Sequence, residues 1–213
     1  MKTDDLISAL STDLEPAPKH AVGQRLLLAL GAGIVVSSLM MWLWLGPRPD
    51  MMPAMATPMF WMKFIYALSI AAFGFGLIDR LARPGGQGGV WRTLLVLPLA
   101  FMIIMALYRY GQAPPENHMA MLLGSSWTVC ARNIAILSLP IFAALFWGLR
   151  ELAPTRLTAA GATAGVLAGA VGTFIYAFHC TESAAPFVAI WYTLGMAAMG
   201  VLGAILGRFL LRW

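Results

Sequence analysis

Cys130 and Cys180 are the two cysteines of this chain. A pair of thiols can close a disulfide, and with imidazole or carboxylate neighbours it can hold a soft metal ion. His179 and Glu182 flank Cys180, and His118 stands upstream of Cys130. The spacing is not Cys-x-x-Cys, so by itself it is only moderately specific. A second reading uses the same residues: both cysteines are buried, inert small hydrophobes. Which reading holds depends on where the surrounding elements carry the two thiols.

Those elements are apolar and long. Apolar residues make up 60% of the chain and charged residues 11%, whereas a soluble domain carries about 25% charged residues to meet water. Six runs are long enough to cross a hydrocarbon core, which needs about 20 helical residues. They cover 26–45, 60–78, 91–108, 126–149, 157–178 and 187–206. None shows a polar stripe at helical period or the alternation of a membrane barrel strand. The expected fold is all-α: a polytopic bundle of six transmembrane helices in the lipid bilayer, over residues 26–213. The first run is too long for the core of a cleaved signal peptide and reads as a retained anchor.

Lysines and arginines orient the bundle. With the N-terminus inside, 10 of them lie on the inner side and 4 on the outer side, accounting for all 14. This is the positive-inside pattern. It explains the net charge of +5 without a nucleic-acid surface, because the basic residues sit at run ends and not in one patch. It also puts Cys130 and Cys180 on the same, outer side, although no cysteine entered the count. In a bacterial cell that side is oxidising and permits a disulfide.

Residues 1–25 form the one sizeable polar segment. Leu6, Ile7, Leu10 and Leu14 recur at helical spacing, Thr3 can cap the start, and Asp4 and Asp5 sit in the first turn, where the helix dipole favours negative charge. Ser8, Ser11, Thr12, Asp13 and Glu15 form the polar face, and Pro16 and Pro18 end the helix. Such a helix frays alone or folds against a partner's groove; its acidic face argues against lying on an anionic membrane.

Enzymatic motifs are missing. Gly85-Gly86-Gln87-Gly88-Gly89 lacks the Gly-Lys-Ser/Thr ending of a phosphate loop, and neither His-Glu-x-x-His nor Gly-x-Ser-x-Gly occurs. The loops leave no room for an extramembrane catalytic domain. Arg132, beside Asn133 at the start of the fourth run, reads as a structural charge that bonds loop carbonyls or Glu116 more readily than a substrate. Gly161, Gly165 and Gly169, with Gly203 and Gly207, have the spacing that lets membrane helices approach closely, and would also permit a homodimer.

Several stretches resemble one family of bacterial inner-membrane proteins. They are Lys-Thr-Asp-Asp-Leu-Ile (2–7), Thr-Pro-Met-Phe-Trp-Met-Lys (57–63), Leu-Leu-Gly-Ser-Ser-Trp-Thr-Val-Cys (122–130), Leu-Arg-Glu-Leu-Ala-Pro-Thr-Arg (149–156), Tyr-Ala-Phe-His-Cys (176–180) and Ala-Pro-Phe-Val-Ala-Ile-Trp-Tyr-Thr-Leu-Gly (185–195). The family is NrsF, the negative regulators of sigma F, and the resemblance spans essentially the whole chain. It implies an anti-sigma factor without catalysis. Such a protein holds an extracytoplasmic-function (ECF) sigma factor at the inner membrane, with both termini cytoplasmic and no direct contact with nucleic acid. It also implies that two periplasmic cysteines, at Cys130 and Cys180, respond to heavy metal or oxidative stress. His179, Glu182 and His118 are then auxiliary ligand candidates, and no obligatory cofactor is expected. The sigma-binding segment is expected within 1–25, through Asp4, Asp5, Leu6, Ile7, Leu10 and Leu14. Two rivals use the same features: a membrane thiol or metal-handling oxidoreductase, which needs a second thiol pair or quinone site, and a small transporter, which needs polar residues along the run centres.

Overall fold

A computed structural model describes residues 3–11 and 20–212, with side chains except for those of residues 9–11. Among the described residues ten α-helices follow in order: α1 (Thr3–Ser11), α2 (Ala21–Trp44), α3 (Met51–Met55), α4 (Pro58–Leu81), α5 (Val90–Gln112), α6 (His118–Leu123), α7 (Trp127–Arg150), α8 (Leu157–Tyr176), α9 (Ala185–Phe187) and α10 (Thr193–Leu210). A π-helical turn, Val188–Tyr192, joins α9 to α10 into one continuous rod. There is no strand among the described residues.

Six rods are long and apolar enough to cross a membrane, as the six runs predict. Their outer surfaces are covered in large apolar side chains, among them Leu28, Leu43, Trp147 and Phe209. In water that surface would aggregate; in lipid it is solvated. Exposed tryptophans gather near the rod ends, with Trp42, Trp44, Trp61 and Trp127 at one end and Trp147 at the other, as amphipathic rings do at membrane interfaces.

α8 is the centre of the bundle. Two thirds of it is buried (67%), against 11% for α5, and α10, α7 and α4 all pack on it. Its residues explain this. A Cβ on Gly169 would lie 2.8 Å from Met196 Cα, and on Gly161 it would run into the backbone of Gly203. The glycine faces of α8 and α10 therefore meet each other, which is the close approach their spacing predicts. The ladder that would permit a homodimer is used inside the chain. Several hydroxyls within the rods are satisfied locally or across helices: Thr173 Oγ1 donates to Gly169 O at 2.7 Å, and Ser37 Oγ donates from α2 to Leu137 O of α7 at 2.7 Å.

Alternate crossing sorts the loops to two ends. At one end, Arg25 at the base of α2 pairs with Glu151 after α7, and Gly85 N donates to Thr155 Oγ1 at 3.3 Å. At the other end the first, third and fifth loops converge. Arg48 N donates to Phe178 O at 3.0 Å, Ser125 N donates to Glu182 Oε1 at 2.7 Å, and Trp191 Nε1 donates to Leu122 O at 2.9 Å. The expected charge in the fourth run behaves differently from the sequence reading. Arg132 is exposed, and among the described residues no hydrogen bond joins it to a loop carbonyl or to Glu116.

α1 forms with Asp4 and Asp5 in its first turn. Thr3 is its first helical residue, and Thr3 through Ser8 are all exposed. Leu6 is 43% and Ile7 59% exposed, so the apolar face of α1 is accessible among the described residues. Leu14, Asp13, Glu15, Pro16 and Pro18 lie outside the described residues, and nothing is described of the Leu10 side chain.

Candidate functional site: a buried thiol pair

Cys130 lies one turn into α7, its N–H bonded to Ser126 O at 2.9 Å. Cys180 lies just beyond α8, where the chain leaves the helix and Cys180 N donates to Tyr176 O at 3.0 Å. The two are far apart in sequence, yet the fold brings their side chains into one buried cluster, near enough to influence each other. Both are free and both are buried, Cys130 at 0% and Cys180 at 3% exposure. Tyr176 and Tyr192 close the inner side. The Tyr192 hydroxyl is fully enclosed beside Cys180 and has no hydrogen-bond partner among the described residues.

Two cations hold the Cys180 loop. Lys63 Nζ, reaching from α4, donates to Cys180 O at 2.6 Å and to Glu182 O at 3.3 Å. Arg48 Nη1 donates to the same Cys180 oxygen at 3.1 Å. Arg48 is fixed in turn by a forked pair to Asp50, Nε to Oδ1 at 2.8 Å and Nη2 to Oδ2 at 2.7 Å, a geometry that adds direction as well as charge. The Asp50 carboxylate raises Arg48 above its ordinary value, and Arg48 holds Asp50 below the usual carboxylate range. The neighbouring Cys130 thiol and the Lys63 charge, working against burial, push the Cys180 thiol down to about 6. A thiol lowered in this way is a nucleophile near neutral pH.

A cavity of about 250 Å³ opens beside Cys180, lined by Arg48, Ser126, Val129, Tyr176 and His179 among others. Two larger hollows, of about 590 and 660 Å³, lie on the flanks between α4 and α5 and between α2, α4 and α8. Their walls are apolar and carry no charged side chain, so they are grooves for apolar chains and not a polar path through the bundle.

The three auxiliary ligand candidates do not converge on the thiols. His179 Nδ1 is bonded to Gly46 O at 2.9 Å. Glu182 Oε1 accepts from Ser125 N at 2.7 Å and from Ser125 Oγ at 2.6 Å. His118 stacks on Tyr110 with ring centroids 3.9 Å apart and bonds Ala113 O at 3.1 Å. Among the described residues no group of three His, Cys, Asp or Glu side chains is arranged to hold a metal ion. His179 and Glu182 each fasten one loop to another, and His118 fastens its own loop back onto the end of α5, which is a sufficient physical reason for each position.

Lys63 and Arg48 are the site residues that sequence reasoning passed over, having counted them only as outer-side charges. Lys63 carried a signal: a lysine inside an apolar run is costly and needs a partner in the bundle. Arg48, between Pro47 and Pro49 in a loop, carried none.

The fold and site define a class first: a helical membrane bundle with a shielded thiol pair at one end and, among the described residues, no catalytic constellation. Comparison with known proteins makes it particular. The family described as "Negative regulator of sigma F", NrsF, matches residues 10–213. The chain is 38% identical to the anti-sigma-F factor NrsF of Caulobacter vibrioides over 100% of both chains. It is also 38% identical to the probable anti-sigma-F factor NrsF of Azospira oryzae, again over 100% of both. This chain therefore belongs to the NrsF family, whose members are regulatory proteins and not enzymes. No solved structure matches it.

Proposed function

We propose that this protein is an inner-membrane anti-sigma factor that binds an ECF-type sigma factor at the cytoplasmic face and releases it when Cys130 and Cys180 meet a heavy metal or an oxidant in the periplasm. The observation that carries the reading is the full-length similarity to anti-sigma-F factors at 38% identity. The geometry supports it at both ends. α1 offers exposed Leu6 and Ile7 beside Asp4 and Asp5, a combination suited to an apolar groove rimmed by basic residues. It precedes α2 at the bundle end remote from the thiols, so signal and response have separate places. The 10-to-4 bias of lysine and arginine supports the assignment of sides.

The test is affinity purification from native membranes, with and without residues 1–18, followed by mass spectrometry. A sigma factor captured by the intact chain and lost on truncation is the expected result. Capture of no transcription factor by either form would end the sequestration reading. For the sensor half, Cys130→Ser and Cys180→Ser should each abolish induction of the sigma regulon by metal or oxidant. Unchanged induction in both would remove the cysteines from the mechanism.

A further inference from the structure

The two thiols are not equivalent in their surroundings. The 250 Å³ cavity is walled by Cys180 and does not reach Cys130, which is wholly buried in α7. A small molecule entering from the loop end therefore meets Cys180 first, with Cys130 behind it in the same buried cluster. The charges are equally one-sided: Lys63 and Arg48 both bond the main-chain oxygen of Cys180, placing two cations beside the residue whose sulfur would carry negative charge. The cavity also offers polar hydrogen. Arg48 lines it, and the Ser126 hydroxyl on its wall has a buried oxygen without a hydrogen-bond partner among the described residues.

From this arrangement we infer a division of labour within the pair: Cys180 is the thiol that attacks a small peroxide entering the cavity, and Cys130 is the thiol that resolves the product into a disulfide. The inference rests on the sensor reading above and adds an order of events to it. In the first step the Cys180 sulfur attacks one oxygen of the peroxide. The S–O bond forms, the O–O bond breaks, and the departing oxygen takes a proton to leave as alcohol or water. Cys180 is now a sulfenic acid, oxidised by two electrons, and the peroxide is reduced by two. In the second step the Cys130 sulfur attacks the Cys180 sulfur. The S–S bond forms, the S–O bond breaks, and the hydroxyl leaves as water with the Cys130 proton. Two thiols and one peroxide thus give one disulfide, one alcohol or water, and one water. The neighbouring thiol makes the sulfenic acid short-lived in the intact protein, which protects it from further oxidation.

The full-length protein, purified in detergent and treated with hydrogen peroxide and dimedone, tests this by peptide mass spectrometry. In Cys130→Ser, dimedone should label Cys180. In Cys180→Ser, labelling of Cys130 should be slower by about tenfold or more, because access and charge are both lost. The unsubstituted protein should give the disulfide with little label. Brief treatment of the unsubstituted protein with a limiting amount of iodoacetamide provides a check free of folding effects, and Cys180 should be modified first. Preferential modification of Cys130, or no sulfenic acid in either variant together with no disulfide in the unsubstituted protein, overturns the inference. The co-purified sigma factor separates this result from the sensor reading. If the disulfide forms in the stated order and the partner stays bound, sensing fails and the order stands. If the partner leaves while Cys130 is attacked first, the order fails and sensing stands.

Discussion

Lys63 is the residue with most to lose in this fold. It sits at 0% exposure on a membrane rod, where an uncompensated charge is expensive. Its compensation is two carbonyl oxygens of the loop that carries Cys180. In Lys63→Met the Glu182 oxygen loses this donor, and the Cys180 oxygen keeps only Arg48. The expected cost is about 1–3 kcal/mol, read as a lower melting temperature in detergent; an unchanged melting temperature would show that the loop does not depend on Lys63. The neighbouring Cys130 thiol and the same lysine lower Cys180 to about 6, so its thiolate is populated from mildly acidic pH upward. In chelator-treated protein, alkylation of Cys180 should rise with pH around a midpoint near 6 and level off above it. A midpoint near about 8.5, the ordinary thiol value, would mean that the site does not perturb the sulfur. Sequence made the pair itself legible, since charge counting alone put both cysteines on one side. It did not reveal the cations that bond the loop, because those bonds go to main-chain oxygens, which leave no mark in side-chain spacing.

At the scale of elements, the six rods were readable because apolar length is the property lipid demands of them. The short pieces were not. α3, of five residues, and α6, of six, are too brief to show a period, and both lie in stretches whose prolines or polar residues read as loop. The π turn at Val188–Tyr192 depends on local backbone bonding that residue type does not encode. The glycine spacing was correctly legible as close packing, and only the fold shows that α10 is the partner. Gly165→Leu would drive a side chain into the Met199 backbone, and should destabilise the bundle by about 1–3 kcal/mol or more. Gly31→Ala is the control, since nothing lies within 4 Å of the added carbon; it should be neutral or slightly stabilising. Equal melting temperatures for the two variants would refute the packing assignment. α1 makes the opposite prediction. Its Leu6 and Ile7 touch no core, so Leu6→Asp with Ile7→Asp should leave the melting temperature alone while abolishing capture of the sigma factor. Capture at full strength would move the binding surface elsewhere.

For the whole molecule, the question is how an event at the thiols reaches the far end. Moving a partner from about 99% to 1% bound requires the two states to differ by about 10⁴-fold in affinity, or about 5.5 kcal/mol. The connection has a visible route. α7 carries Cys130 near its start and ends at Arg150, and α8 starts at Leu157 and leads into Cys180. The pair therefore closes one end of a helical hairpin whose other end is the 151–156 turn. From that turn Glu151 pairs with Arg25 at the base of α2, the helix that follows α1. Tightening the thiol end should shift the turn, and the ion pair should pass the shift to α2. The pair is half-exposed, so its own contribution to stability is about 0–1 kcal/mol, and removing it should leave the bundle folded. Glu151→Ala should therefore still bind the sigma factor at rest and still form the Cys130–Cys180 disulfide with peroxide. It should release less of the sigma factor for the same extent of disulfide, measured by paired pull-down and thiol titration. Arg25→Ala should behave alike, and the double variant should be no worse than either single one, because one link is broken in all three. Full release in Glu151→Ala at normal disulfide yield would show that the signal bypasses this turn and runs instead through the α8–α10 packing.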